Sequence, residues 1–243
     1  VRVVSLVPSL TEAVAVTAPG LLVGVTDWCT HPADQGAAVR IGGTKNPDVR
    51  RIAGLRPDLV IANEEENRLP DLDALRASGA EVLVTEVRDL PQAFAELERV
   101  LVGALGLERP EWLDRAEAAW AAVEPPGELR AFVPVWRRPW MVLGRNTFAG
   151  DLLARLGVRN AYGDHPERYP KVPLAELAAS GCDLVVLPDG PYAFSEEDGP
   201  EAFPGLPAAL VSGRHLTWYG PSLAEAPEVL GRALSGSWGA AGR

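Results

Sequence analysis

Basic side chains are scarce in this chain of 243 residues: 23 Lys and Arg stand against 33 Asp and Glu, a net charge of −10. A nucleic-acid partner requires a basic footprint that releases counterions from phosphates, so none is expected. Of the bases lysine is the rarer, with Lys45 and Lys171 alone beside 21 Arg, and Ile (3) and Asn (5) are also few. That skew fits a GC-rich genome and carries no functional signal by itself. The two cysteines, Cys29 and Cys182, are too few for a disulfide framework and have no metal-ligand spacing. Free buried thiols are expected, with a cross-link between halves as the alternative. Long apolar runs are missing too: the longest, 13–25, is broken by Pro19 and Gly20 and falls short of the about 20 residues that span a bilayer. No G-x-G-x-x-G follows the first strand pattern, and G-x-x-x-x-G-K-[ST], G-x-S-x-G, H-E-x-x-H and C-x-x-C are all lacking. The chain opens on the strand pattern V-R-V-V-S-L-V, which has neither the basic n-region nor the apolar h-region of a leader. If Val1 is a start codon read as valine, a cytoplasmic location is expected; a trimmed mature sequence would instead be periplasmic or cell-surface.

What remains is globular, with 47% apolar residues and a length that allows two lobes. Short β-rich runs alternate with helical patterns, which predicts an α/β fold with parallel sheets. Strands are expected over 2–7, 21–26, 58–63, 81–86, 131–136, 141–144 and 183–188. A helix should start after the first strand, with Ser9 and Glu12 as a capping box. Further helices are expected over 47–55, with Pro47 in the first turn, and over 69–78, 91–105, 110–123, 147–156 and 174–180. Two segments echo across the halves: 50–63 resembles 174–188, and 11–27 resembles 149–164. The expected organisation is an N-terminal lobe over 1–106, a bridging helix within 107–126 and a C-terminal lobe over 127–243. Before residue 125 there are 20 acids and 12 bases; after it, 13 and 11.

Ligands of open α/β sheets sit beyond the carboxyl ends of the strands, so the loops there should carry the chemistry. They read D-W-C-T-H-P (27–32), N-E-E-E-N-R (63–68), W-R-R-P-W (136–140), P-D-G-P-Y-A-F (188–194) and H-L-T-W-Y-G-P (215–221). Trp28, Trp136, Trp140 and Trp218 all fall at expected strand ends, which suits a bulky ligand with flat apolar faces. Core packing is the competing reading for any one of them, and the preferred one for Trp112 and Trp120 on a helix. Arg137 and Arg138, flanked by indoles, are the best anion-binding candidates. Asp27 and His31 share a loop and could contact a ligand or a metal. Asn63 and Glu65 lie in the acidic loop, where Glu64–Glu66 are read by default as a solvated face. Tyr192 belongs to the loop after 183–188, and Lys45 is a weaker candidate.

The stretches R-V-V-S-L-V-P-S-L-T-E-A-V, L-V-G-V-T-D-W-C-T-H-P and I-G-G-T-K-N-P-D-V-R-R-I-A-G-L-R-P-D-L-V-I-A together resemble substrate-binding proteins of vitamin B12 and iron-siderophore ABC importers, the helical-backbone metal receptor type. The match is specific over residues 2–80 and looser afterwards, through G-D-L-L-A-R-L-G-V. The resemblance implies two Rossmann-like lobes joined by one rigid helix. It implies a non-catalytic monomer that takes a corrinoid, haem or ferric chelate as ligand and needs no cofactor. By position, aromatic contacts would fall to Trp28, Trp136 or Trp140, Tyr169, and Trp218 or Tyr219. The implied partner is an ABC permease. Against it, Leu69 and Pro70 stand where the family's first docking Glu is expected, and Glu176 lies one residue from the second. The alternative is a cytoplasmic chelatase-like or tetrapyrrole-modifying enzyme, which would need His31 with Glu65 or Asp189 converging on a metal. A protein–protein adaptor would instead show a large apolar face.

Overall fold

A computed structural model describes residues 1–241. The chain divides into two compact units: one of 1–87, 91–114 and 219–221, the other of 88–90, 115–218 and 222–243.

The first unit holds β1 (Val3–Ser5), α1 (Pro8–Thr17), β2 (Leu22–Val25), β3 (Val39–Arg40), β4 (Gly42–Gly43), β5 (Asn46–Pro47), α2 (Val49–Leu55), β6 (Leu59–Asn63), α3 (Leu69–Ala77) and β7 (Glu81–Thr85). It continues through α4 (Leu90–Glu98), whose first residue belongs to the other unit, and a π-helical stretch over Arg99–Ala104. Its five strands pair in parallel in the order β3-β2-β1-β6-β7. The near-continuous apolar reading of Val3–Ser5 and Leu59–Asn63 is that of strands covered on both faces. Val4, Leu6, Ile41, Ile52, Val60, Leu72 and Leu75 form the core beneath α2 and α3.

In the second unit lie β8 (Leu129–Phe132), β9 (Pro134–Arg137), β10 (Trp140–Val142), α6 (Phe148–Arg155), β11 (Val158–Asn160), α7 (Leu174–Ala178), β12 (Leu184–Pro188), β13 (Ala208–Val211), α8 (Gly213–Thr217) and α9 (Ala226–Ala241). The boundary between units falls at 114/115, inside the helix Glu111–Ala121, here α5. The sheet is again parallel, in the order β11-β8-β12-β13. Phe132, Val142, Val172, Leu177, Val185 and Leu187 form its core. The chain is therefore α/β with two parallel-sheet units, as the sequence pattern requires.

Several elements depart from expectation. Pro8 takes the first helical position of α1, where its missing N–H costs nothing, so Ser9 falls inside the helix and the Ser9/Glu12 capping box does not form. Pro47 lies in the antiparallel β4–β5 ladder, and α2 starts two residues later, capped by Asp48 Oδ1, which accepts from the Arg51 amide at 3.0 Å. The long helix over 91–105 is α-helical only to Glu98; Leu105 N then bonds Val100 O at 3.0 Å, the wider π spacing. The single strand over 131–136 is two, because Pro134 donates no ladder bond and the chain leaves the parallel sheet to pair antiparallel with β10.

Both thiols are free. Trp112 and Trp120 are buried, as their helical spacing predicts; their indoles donate to Thr17 Oγ1 at 3.0 Å and Leu223 O at 3.1 Å.

Candidate functional site

In each sheet the strand order reverses beside its first strand, at β1/β6 in the first unit and β8/β12 in the second. Such switch points open a crevice at the carboxyl ends of the strands.

In the first unit, two asparagines build that edge. Asn63 ends β6 with its side chain buried; its Oδ1 accepts from the amides of Glu65 (2.9 Å) and Glu66 (3.3 Å), and its Nδ2 donates to Thr85 O (3.1 Å). Asn67 Oδ1 takes the Asn63 amide at 2.8 Å, and Asn67 Nδ2 reaches Thr44 O at 3.0 Å and Leu6 O at 3.3 Å. Asn63 is thus a scaffold whose polar atoms are spent on the protein. Lys45 Nζ donates to Glu65 O, which closes the loop against β4–β5.

The loop is not a uniformly solvated face. Glu64 is exposed, but Glu65 and Glu66 are half-buried, and burial, with Glu65 adding to it, pushes the Glu66 carboxyl up to about 7. Tyr219 is buried in this unit, with Ser9 and Thr85 at its hydroxyl and Glu66 nearby; burial raises it well above the usual phenol range. Ser9, Thr85 and Glu66 carry no sequence motif, and only the topology brings them together.

Trp28 is 64% exposed, its Nε1 lying 3.5 Å from where a Gly43 side chain would begin. A side chain there would collide with Asn46 Oδ1 and meet the indole only at ordinary contact distance. Asp27 and His31 are exposed on the same loop, with His31 Nδ1 and Thr30 Oγ1 at 3.1 Å. Cys29 is enclosed by Thr11 and Thr26, and burial pushes its thiol up. Among the described residues no three His, Cys, Asp or Glu side chains gather as metal ligands.

In the second unit the β9–β10 hairpin and the loop over 189–206 share an aromatic cluster. Trp136, 45% exposed, stands edge-on to Tyr192 with centroids 5.6 Å apart. Tyr192 packs on Phe194 at 4.6 Å, and Trp140 lies parallel to Phe194 at 6.1 Å and edge-on to Phe203 at 5.1 Å. Trp140 is thus largely a packing residue. Arg137 sits 5.4 Å over the Trp140 ring, as its neighbours suggest, but it is not an open anion site: Asp198 and Glu201 both pair with it. The Gly199 amide, and then Arg137, hold the Glu201 carboxyl below the usual range. Tyr192 OH completes the lattice by donating to Asp198 Oδ2 at 2.6 Å.

Tyr169 is half-buried on the loop before α7, with the Arg168 guanidinium 6.0 Å from its ring, and Trp218 caps α8 half-buried. Asn160 repeats the role of Asn63, donating to Leu143 O (2.9 Å) and Gly144 O (3.2 Å). His215 joins Ser212 Oγ (2.8 Å) to Glu225 Oε1 (2.9 Å) and so fixes the start of α8. Of the expected site residues, Asp27, Trp28, His31, Asn63, Glu65 and Tyr219 lie in the first unit; Trp136, Arg137, Trp140, Tyr169, Tyr192 and Trp218 lie in the second.

Two parallel α/β units with exposed aromatics beyond their strand ends offer surfaces suited to a flat ligand. The periplasmic binding protein family model matches residues 3–189, and the chain belongs to that family. The family's members are non-enzymatic carriers, which supports the binding function and leaves the enzyme alternative without support. The vitamin B12-binding protein of Pectobacterium carotovorum subsp. carotovorum (strain PC1) is 22% identical over 201 residues, 78% of this chain and 72% of the relative. That of Salmonella typhi is 25% identical over 194 residues, covering 76% and 71%. Among solved structures, the periplasmic haem-binding protein of Roseiflexus sp. RS-1 aligns with a TM-score of 0.80 at 23% identity over 99% of this chain and 98% of that one. The periplasmic vitamin B12 binding protein of Vibrio cholerae aligns with a TM-score of 0.73 at 18% identity over 98% and 97%.

Proposed function

We propose that this protein is the substrate-binding component of an ABC importer, a periplasmic or cell-surface monomer that carries one bulky ligand of the corrinoid, haem or ferric-chelate class. The observation that carries the reading is the pair of exposed indoles, Trp28 at 64% and Trp136 at 45%, each on the segment that follows a parallel strand. Exposed tryptophans held by neighbouring structure offer flat contact area at low entropic cost. Asp27, His31 and Glu65 in the first unit, and Tyr169, Tyr192 and Trp218 in the second, would take part in binding; Arg137, Trp140 and the buried Tyr219, already committed to protein neighbours, would act only by holding those around them. Asn63 would act by holding its loop. The residues over 107–126 serve as the bridging segment. At the permease-facing position of α3 the chain offers Leu69, 64% exposed, in place of a carboxylate. That contact would rest on apolar burial in place of an ion pair.

The test is tryptophan fluorescence titrated with cyanocobalamin, haemin and a ferric catecholate. Saturable 1:1 quenching is expected with one class, weakened about tenfold or more by Trp28→Ala and by Trp136→Ala, equivalent to ~1.4 kcal/mol or more each. Flat titrations with all three would overturn the reading.

A further inference from the structure

A second recess lies wholly within the second unit: an open groove of about 570 Å³ between the β9–β10 turn and the segment leading into α7. Arg137, Arg138, Pro139, Trp140, Lys171, Val172, Pro173 and Leu174 line it, and no carboxylate does. In a chain of net charge −10 a groove lined by three cations and no acid is out of character. Asp198 and Glu201 neutralise Arg137. Arg138 and Lys171 are exposed, and neither makes a side-chain ion pair or hydrogen bond among the described residues. Two uncommitted cations therefore face one groove.

The rest of the lining is fixed and apolar. The Lys171 segment is pinned along β10 by Val172 N to Trp140 O and Val142 N to Pro170 O, each 3.1 Å. Phe194, Phe203 and the Arg137 guanidinium immobilise the Trp140 indole. An aromatic edge is the positive rim of its quadrupole, so whatever part of that edge meets the groove has the same sign as the cations. Pro139, Pro173 and Val172 add stiff walls, and Leu174, 41% exposed, leaves an apolar lip. The volume is within the range of small-molecule sites.

We infer that this groove is a binding site for a small amphipathic anion: a carboxylate or sulfonate, held by Arg138 and Lys171, on a flat hydrophobic body lying against Pro139, Trp140 and Leu174. The inference stands on this unit alone and does not depend on the ligand proposed for the switch-point edges.

The probe is 1-naphthoate, titrated by calorimetry against the intact protein, with neutral 1-naphthamide as its control. Saturable 1:1 binding of the carboxylate is expected, at least tenfold tighter than the amide and weakened severalfold between 50 and 500 mM NaCl, since exposed charges are screened at a few ångströms there. The double variant R138E/K171E should lose at least tenfold in affinity. Leu174→Asp, a separate exposed substitution, should lose a similar factor, and Trp28→Ala should leave binding unchanged. Circular dichroism and melting checks that each variant is folded. Equal binding of amide and carboxylate, undiminished binding by both groove variants, loss on Trp28→Ala, or no heat of binding at millimolar naphthoate would each overturn the inference.

Discussion

Glu66 is where the first unit holds a charge against its environment. An isolated glutamate titrates at 4.5, and here burial lifts the carboxyl to about 7. Between those two pH values the native state binds more protons than the unfolded chain, so stability falls as pH rises through the window and the penalty is complete above it. Glu66→Gln removes the penalty: its melting temperature should exceed that of the parent at pH 8 and match it near pH 4.5. At about 1.4 kcal/mol per pH unit the gain approaches ~3 kcal/mol. An equal shift at both pH values would assign the effect to packing. The opposite outcome is expected at Asn63, whose side chain serves the amides of Glu65 and Glu66 and the carbonyl of Thr85. Asn63→Ala strands buried partners and should cost ~2–4 kcal/mol in urea unfolding. Asn63→Asp should recover part of the loss by keeping the acceptor.

At the scale of elements, the β9–β10 hairpin depends on Phe203, which packs edge-on against both Phe132 and Trp140. Phe203→Ala should cost ~3–5 kcal/mol, read by denaturant midpoint, and should free the Trp140 fluorescence. Gly213 makes a harder demand: a side chain there would begin 2.7 Å from Gly190 N and 2.8 Å from Gly190 O, backbone atoms that cannot swing aside. Gly213→Ala should therefore destabilise the protein by more than the few tenths of a kcal/mol of a tolerated surface change.

These elements also show how far the sequence could be read. The apolar runs 59–63 and 184–188 predict buried parallel strands, and the structure has them. What local pattern could not carry was competition between partners. Pro134 divides a run that looks continuous, because a missing donor matters only once the neighbouring strand is known. Arg137 reads as an anion receptor until Asp198 and Glu201, more than sixty residues away, arrive beside it. Ser9, Thr85 and Tyr219 meet only through the fold, and no spacing encodes that.

At the scale of the whole molecule, the match over residues 3–189 places the chain in the periplasmic binding protein family, and its two parallel sheets agree with that. A ligand that binds only the native state stabilises it by ~2.7 kcal/mol at a hundred times its Kd. For a chain of this size that corresponds to a melting shift of ~5–10 °C. A thermal screen of corrinoids, haem and ferric chelates should show such a shift for one class and none for the others. The division of the chain has a practical corollary. The first unit includes Tyr219–Pro221 from late in the sequence, and the second includes Arg88–Leu90, with Leu90 N held by Asp151 at 2.9 Å. Gly220 fits so closely that a side chain there would begin 2.9 Å from Ser9 O. A gene truncated after codon 114 would therefore encode a first unit with an unfilled socket at Ser9 and Thr85. Producing that unit alone requires a short peptide bearing Tyr219–Pro221, supplied in trans or grafted through a linker, much as a split reporter is completed by its missing strand.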